Sequence, residues 1–221
     1  MEKTERPRVK VCCIASLEEA LLAVRYGASA LGLVSTMPSG PGVIDDDAIA
    51  RIATAVPPAV SRFLLTSRQD ARAIVEQQRR SRVDTLQLCD RLIDGTYEEL
   101  REAMPGVRIV QVVHVTGPEA IDESVLVASR VDAILLDSGD QRLVVKQLGG
   151  TGRRHDWALS LRIREAVEVP VFLAGGLNAW NAARAIHDVG PFGLDICSGV
   201  RTDGALDEAK LSSFMAAVER A

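Results

Sequence analysis

Short apolar runs alternate with longer amphipathic stretches eight times along this chain. The runs fall at 9–14, 30–35, 60–66, 85–89, 108–115, 133–137, 171–174 and 194–197. They are rich in Val, Ile and Leu, as strands buried on both faces of a parallel sheet must be. The stretches between them carry helix start signals. Ser16 with Glu19, Ser67 with Asp70 and Thr96 with Glu99 have capping-box spacing. Asp45-Asp46-Asp47 places negative charge at a helix start. Pro118 suits a first helical turn, and Asn178 can cap a helix over 179–189. In the first helix Leu17, Ala20, Leu21 and Val24 share a face, with Glu18, Glu19 and Arg25 off it, and Gly27 ends it.

Eight βα units without a linker or composition break predict a closed (β/α)8 TIM barrel of parallel strands. The expected organisation is a single domain over 1–221, with 1–7 as a flexible N-terminal tail. The chain's 221 residues, 47% hydrophobic and 25% charged, allow one such domain with a full core. Net charge is −4 and aromatics are 4%, with no basic stripe, so no nucleic-acid partner is expected. The densest basic run, Arg79-Arg80-Ser81-Arg82, suits the C-terminal end of a helix. No apolar stretch reaches the ~18 residues needed to span a bilayer, so no membrane partner is expected. The charged N-terminus lacks an apolar signal core, and a cytoplasmic protein is expected. Cys12, Cys13, Cys89 and Cys197 all fall on predicted strands without zinc spacing; neither a metal site nor a disulfide framework is expected. Monomer and homodimer both remain open.

In a barrel of this kind the active site lies at the C-terminal strand ends. Three of these ends run into small residues: Asp137-Ser138 leading to Gly149-Gly150-Thr151-Gly152, then Ala174-Gly175-Gly176, then Cys197-Ser198-Gly199. Bare backbone N–H groups there can approach an anion closely, so the expected ligand is a phosphorylated small molecule. Strand alternation puts Lys10 and Cys12 on the inward face of the first strand and Cys13 on the other. Lys10 inside a barrel needs a partner. Cys12 is either a small core residue or a thiol facing the mouth. Asp137 ends an apolar strand, where a carboxylate suits general acid or base work. His114 lines the pocket or serves structure. Trp157 reads as a packing anchor, and Asp195 as a strand residue with a local partner.

In this order, Lys10-Val11-Cys12, Ala133 to Ser138 with Gly149 to Gly152 and Asp156-Trp157, Ala174 to Asn178, and Ser198-Gly199-Val200 resemble the phosphoribosylanthranilate isomerase family. The resemblance runs from Val9 to the last helix. It implies an Amadori rearrangement in tryptophan biosynthesis, acting on a phosphorylated ribose-type substrate without metal or organic cofactor. Asp137 is then the acid that protonates the ring oxygen. Cys12, as thiolate, is the base that removes the C2′ proton. Lys10 favours the thiolate, and His114 supports the site. The phosphate lies on the backbone of Gly150, Gly152, Gly175, Gly176, Ser198 and Gly199.

Four departures from the family pattern stand out. Cys13 stands where the family has Gly, and Gly42 where it has an Arg placed to bind the anthranilate carboxylate. Cys89-Asp90 replaces His-Gly, and Arg201 replaces Glu. A buried ligand carboxylate left without its cation costs ~2–5 kcal/mol. Arg153, Arg154 and Arg201 are the candidate replacements. Two other readings fit the same residues. One is a phosphosugar isomerase with a different aglycone; the other is a non-catalytic phospholigand-binding barrel.

Overall fold

The computed structural model describes residues 6–141, 143–150 and 152–221. Of the expected tail, residues 1–5 lie outside them, while Arg6 is exposed and Pro7 already buried. Eight parallel strands close into a barrel in chain order: β1 (Arg8–Val11), β2 (Ala30–Val34), β3 (Ser61–Thr66), β4 (Thr85–Leu88), β5 (Arg108–His114), β6 (Ala133–Asp137), β7 (Val171–Leu173) and β8 (Gly193–Ile196). The helices around them are α1 (Leu17–Arg25), α2 (Asp46–Ala55), α3 (Ala71–Ser81), α4 (Tyr97–Ala103), α5 (Glu119–Ala128), α6 (Trp157–Ala166), α7 (Ala182–Val189) and α8 (Glu208–Glu219). Closure comes from β1 pairing with β8, which sets Lys10 beside Asp195. Among the described residues no helix is long and apolar enough to cross a membrane.

Strand alternation sorts the core into two layers. Val9, Val11, Leu31, Leu33, Leu64 and Leu86 point outward against the helices. Ala30, Phe63, Leu65, Val112, Leu135 and Phe172 fill the barrel. Phe63 meets Phe172 edge to face at 6.0 Å, and Phe172 meets Phe192 at 5.4 Å. These rings plug the barrel below its mouth.

The strands stop earlier than their apolar runs. β1 ends at Val11, β4 at Leu88 and β8 at Ile196, so Cys12, Cys13, Cys89 and Cys197 leave the ladders and build the mouth. The predicted stripe of α1 is rotated. Ala20 and Ala23 are its buried residues, while Leu17 and Leu21 are 38% and 44% exposed. Small side chains let this helix dock close to the barrel. Ser16 and Thr96 cap their helices as expected, and Asp45, expected only as negative charge at a helix start, caps α2. Ser67 does not: Asp70 caps α3, accepting from the Ala73 N–H at 2.7 Å, because Ser67 Oγ donates to Thr36 O. Asn178 caps no helix either. Its side chain accepts from the Trp180 N–H in a turn that delays α7 to Ala182.

Candidate active site

The strand ends surround one cavity of ≈ 670 Å³, a volume that includes its open mouth. That suits a small ligand. Cys12, from the end of β1, and Asp137, from the end of β6, both line it. Lys10 lies below Cys12, fully buried, with Nζ 2.8 Å from Asp195 Oδ1 and 5.4 Å from the Phe63 ring centroid. A Cβ built on Gly32 would sit 2.9 Å from Cys12 Sγ and 3.0 Å from Lys10 Nζ. Thiol and ammonium therefore meet over bare backbone. Burial opposes the charge on Lys10, but the Asp195 carboxylate and then Cys12 outweigh it and hold the ammonium above its ordinary pKa. Asp195, expected to be a strand residue with a local partner, is the counter-ion of Lys10 and itself lines the cavity.

Burial pushes the Asp137 carboxyl above the usual carboxylate range, partly opposed by the Ser138 N–H, which donates to Oδ1 at 2.7 Å. His114 lies beside Asp137 in the β5–β6 register, but it does not line the Cys12 cavity. It faces a neighbouring cleft with Asp90 and Lys146, and its Nε2 is 3.2 Å from Cys89 O. Gln87, which the sequence reading did not single out as a site residue, does line the cavity. It is buried, and its Oε1 finds no hydrogen-bond partner among the described residues. Its signal was parity: Gln87 shares the inward face of β4 with Thr85, in step with Cys89 just beyond the strand.

Gly150, Gly152, Gly175, Gly176 and Ser198 come together on the same cavity. Thr151 lies outside the described residues. Gly199 does not line the cavity; its Cα is packed onto the Leu177 carbonyl. Gly176 has φ +63°, and a Cβ there would sit 2.9 Å from both Gly152 O and the Arg153 carbonyl carbon. The turn after β7 and the loop after β6 can touch only because this residue has no side chain. Among the described residues no backbone acceptor is paired with the N–H of Gly175, Gly176 or Ser198. Such a group of N–H donors has the chemistry to hold an anion. The loop after β2 lines the same cavity through Ser39, Gly40 and Pro41, and Ser39 Oγ donates to Lys146 O at 2.6 Å.

The sequence profile of the N-(5'phosphoribosyl)anthranilate (PRA) isomerase family matches residues 9–217. The chain belongs to this family. It is 36% identical over 210 residues to N-(5'-phosphoribosyl)anthranilate isomerase 2 of Methanosarcina mazei, covering 94% of this chain and 92% of the relative. The phosphoribosyl anthranilate isomerase structure from Thermotoga maritima superposes with a TM-score of 0.81 at 28% identity, covering 97% of this chain and all of that one. A phosphoribosyl anthranilate isomerase solved in complex with reduced 1-(o-carboxyphenylamino)-1-deoxyribulose 5-phosphate superposes with a TM-score of 0.79 at 26% identity, with the same coverages.

Of the places where this PRA isomerase family member departs from its family's pattern, Cys13, Gly42 and Arg201 meet at the end of β1, while Cys89-Asp90 follows β4. Cys13 has φ +62°, a conformation that favours Gly. Gly42 has φ +77°, and a Cβ there would lie 2.5 Å from Cys13 Cβ. The side chain present at 13 thus occupies the space that a side chain at 42 would need. Arg201 is buried and donates to the carbonyls of Cys12 (3.2 Å), Cys13 and Gly204 (2.8 Å) while pairing with Glu19 at 3.0 Å. It holds the mouth's backbone. Arg153 donates to Gln147 Oε1 at 2.6 Å, and the Arg154 guanidinium sits 5.4 Å from the Trp157 ring centroid. None of the three lines the cavity, nor does any Lys or Arg among the described residues. Asp156 caps α6 and Trp157 is buried at its start, a packing anchor as expected.

Proposed function

We propose that this chain is a phosphoribosylanthranilate isomerase, catalysing the aldose–ketose (Amadori) rearrangement of N-(5-phosphoribosyl)anthranilate in tryptophan biosynthesis. The observation that carries this reading is Cys12 and Asp137 on one cavity that also holds the glycine turns. The backbone N–H groups of Gly150, Gly152, Gly175, Gly176 and Ser198 take the 5-phosphate. This anchors the ribose between the two side chains. Asp137, kept protonated by burial, gives its proton to the ring oxygen, and the ring opens to a Schiff base. Cys12 then removes the C2′ proton. Lys10 beside it stabilises negative charge on the sulfur, and Asp195 keeps Lys10 in place. The enolamine collapses to the aminoketone as C1′ takes up a proton. Gln87 Oε1 accepts from a ribose hydroxyl, which satisfies its buried lone pairs. We place the enzyme in the cytoplasm, as a monomer or homodimer. Loss of anthranilate fluorescence on adding purified protein to N-(5-phosphoribosyl)anthranilate tests this reading.

A second reading shares the chemistry and changes the aglycone. The cavity has no lining cation among the described residues, and Gly42 is pressed against Cys13. Both observations favour an N-substituted phosphoribosylamine without a carboxylate. Comparing kcat/KM for the anthranilate substrate with that for its carboxamide analogue separates the two. Preference for the acid supports the first reading, and preference for the amide the second.

A further inference from the structure

We propose that Cys13 and Cys197 form a thiol–disulfide exchange site in the cavity wall, taking a low-molecular-weight disulfide and closing to a cross-link between the ends of β1 and β8. The two sulfurs are 2.7 Å apart although both cysteines are free. A disulfide bond is about 2.0 Å long, so closure moves the sulfurs by less than about 1 Å. The barrel supplies this proximity: β1 and β8 are hydrogen-bonded neighbours, with Val11 opposite Ile196. Cys13 cannot easily swing away. Its Cβ abuts Gly42, its φ is +62°, and its carbonyl is held by Arg201.

The two thiols differ in the way an exchange site requires. Cys197 is half-buried and lines the cavity, so a small disulfide can reach it. Its hydrogen bond with Cys13 pushes its pKa down, while hydrogen bonding to Cys12 and Cys197, and then burial, push that of Cys13 up. Cys197 thiolate attacks one sulfur of the small disulfide and releases one thiolate. Cys13, losing its proton to water, attacks Cys197 Sγ and releases the second. Two protein thiols are oxidised and one small disulfide is reduced to two thiols. Cys12 stays out of the bond. It lies farther off, 3.8 Å from Cys13 Sγ, and a bond between neighbouring residues closes a small strained ring. Closure nonetheless removes the Cys13 S–H beside Cys12.

The test incubates the reduced full chain with glutathione disulfide, alkylates the remaining thiols and maps the peptides by mass. The expected result is two of the four cysteines protected from alkylation, with the peptide containing Cys13 joined to that containing Cys197. The link persists in Cys12→Ser and is absent in Cys13→Ser and Cys197→Ser. Cys13→Ser instead accumulates the glutathione adduct at Cys197. Four alkylated cysteines in the wild type, a link to Cys12, or a bond between two chains would overturn the proposal.

Discussion

The two sides of the barrel mouth are built differently. On the β6–β7–β8 side the ligand surface is backbone, presented by turns that have little side chain to vary. On the β1–β2 side it is made of thiols and a loop, fitted to each other and backed by a buried arginine that does not itself line the cavity. Cys13 fills the space over Gly42, and Arg201 ties down the carbonyls beside it. Backbone recognition tolerates sequence drift because its donors belong to every residue. Side-chain recognition changes with each substitution, and the changes come in fitted groups. This family member accordingly keeps its glycine turns and alters the side-chain-built end of the cavity.

The largest effect should come where the two sides meet. Asp137→Asn should lower kcat by about 10²–10⁴-fold. The proposed mechanism uses Asp137 protonated, and its pKa is raised, so wild-type kcat should fall as pH rises through that elevated value, and the variant should lose this limb. Asp195→Asn strips the counter-ion from buried Lys10 and should cost about 3–5 kcal/mol in urea unfolding. Adding Lys10→Met should restore most of that stability; failure to do so would mean the pair is not the support of the β1 side. On the backbone side, Gly176→Val should raise KM by about 10–100-fold, because a side chain there separates the turn after β7 from the loop after β6. An unchanged KM would break the contrast. The smallest effect is at Gly42. Gly42→Ala should cost about 1–2 kcal/mol through its positive φ and the clash with Cys13. Cys13→Gly should relieve the side-chain part of the clash, leaving the contact with the residue-13 backbone, so the double variant is more stable than the sum of the two single effects predicts. Simple additivity by thermal melts would show that 13 and 42 are not a fitted pair.

Much of this was legible in the sequence. Strand alternation put Lys10 and Cys12 inward, and the glycine runs marked the turns that gather on one cavity. What escaped depends on contacts distant in sequence. Asp195 became the partner of Lys10 only through closure of β1 on β8, 185 residues apart. Arg201 could be weighed as a free cation because nothing local tells of its pairing with Glu19. The Cys13–Gly42 contact needs a loop to fold back onto a strand end. His114 and Gly199 have suitable positions in the chain, yet rotation of a side chain and packing on Leu177 turn them from the cavity. The α1 stripe misled because hydrophobicity favours Leu, whereas close docking selects Ala.

The most direct measurement is to run the reaction in deuterium oxide and examine the product by mass spectrometry and proton NMR. Proton removal from C2′ followed by reprotonation predicts loss of anthranilate fluorescence, with a single solvent deuterium at C1′ of the aminoketone. Unchanged fluorescence, or a product without deuterium at C1′, would contradict the account.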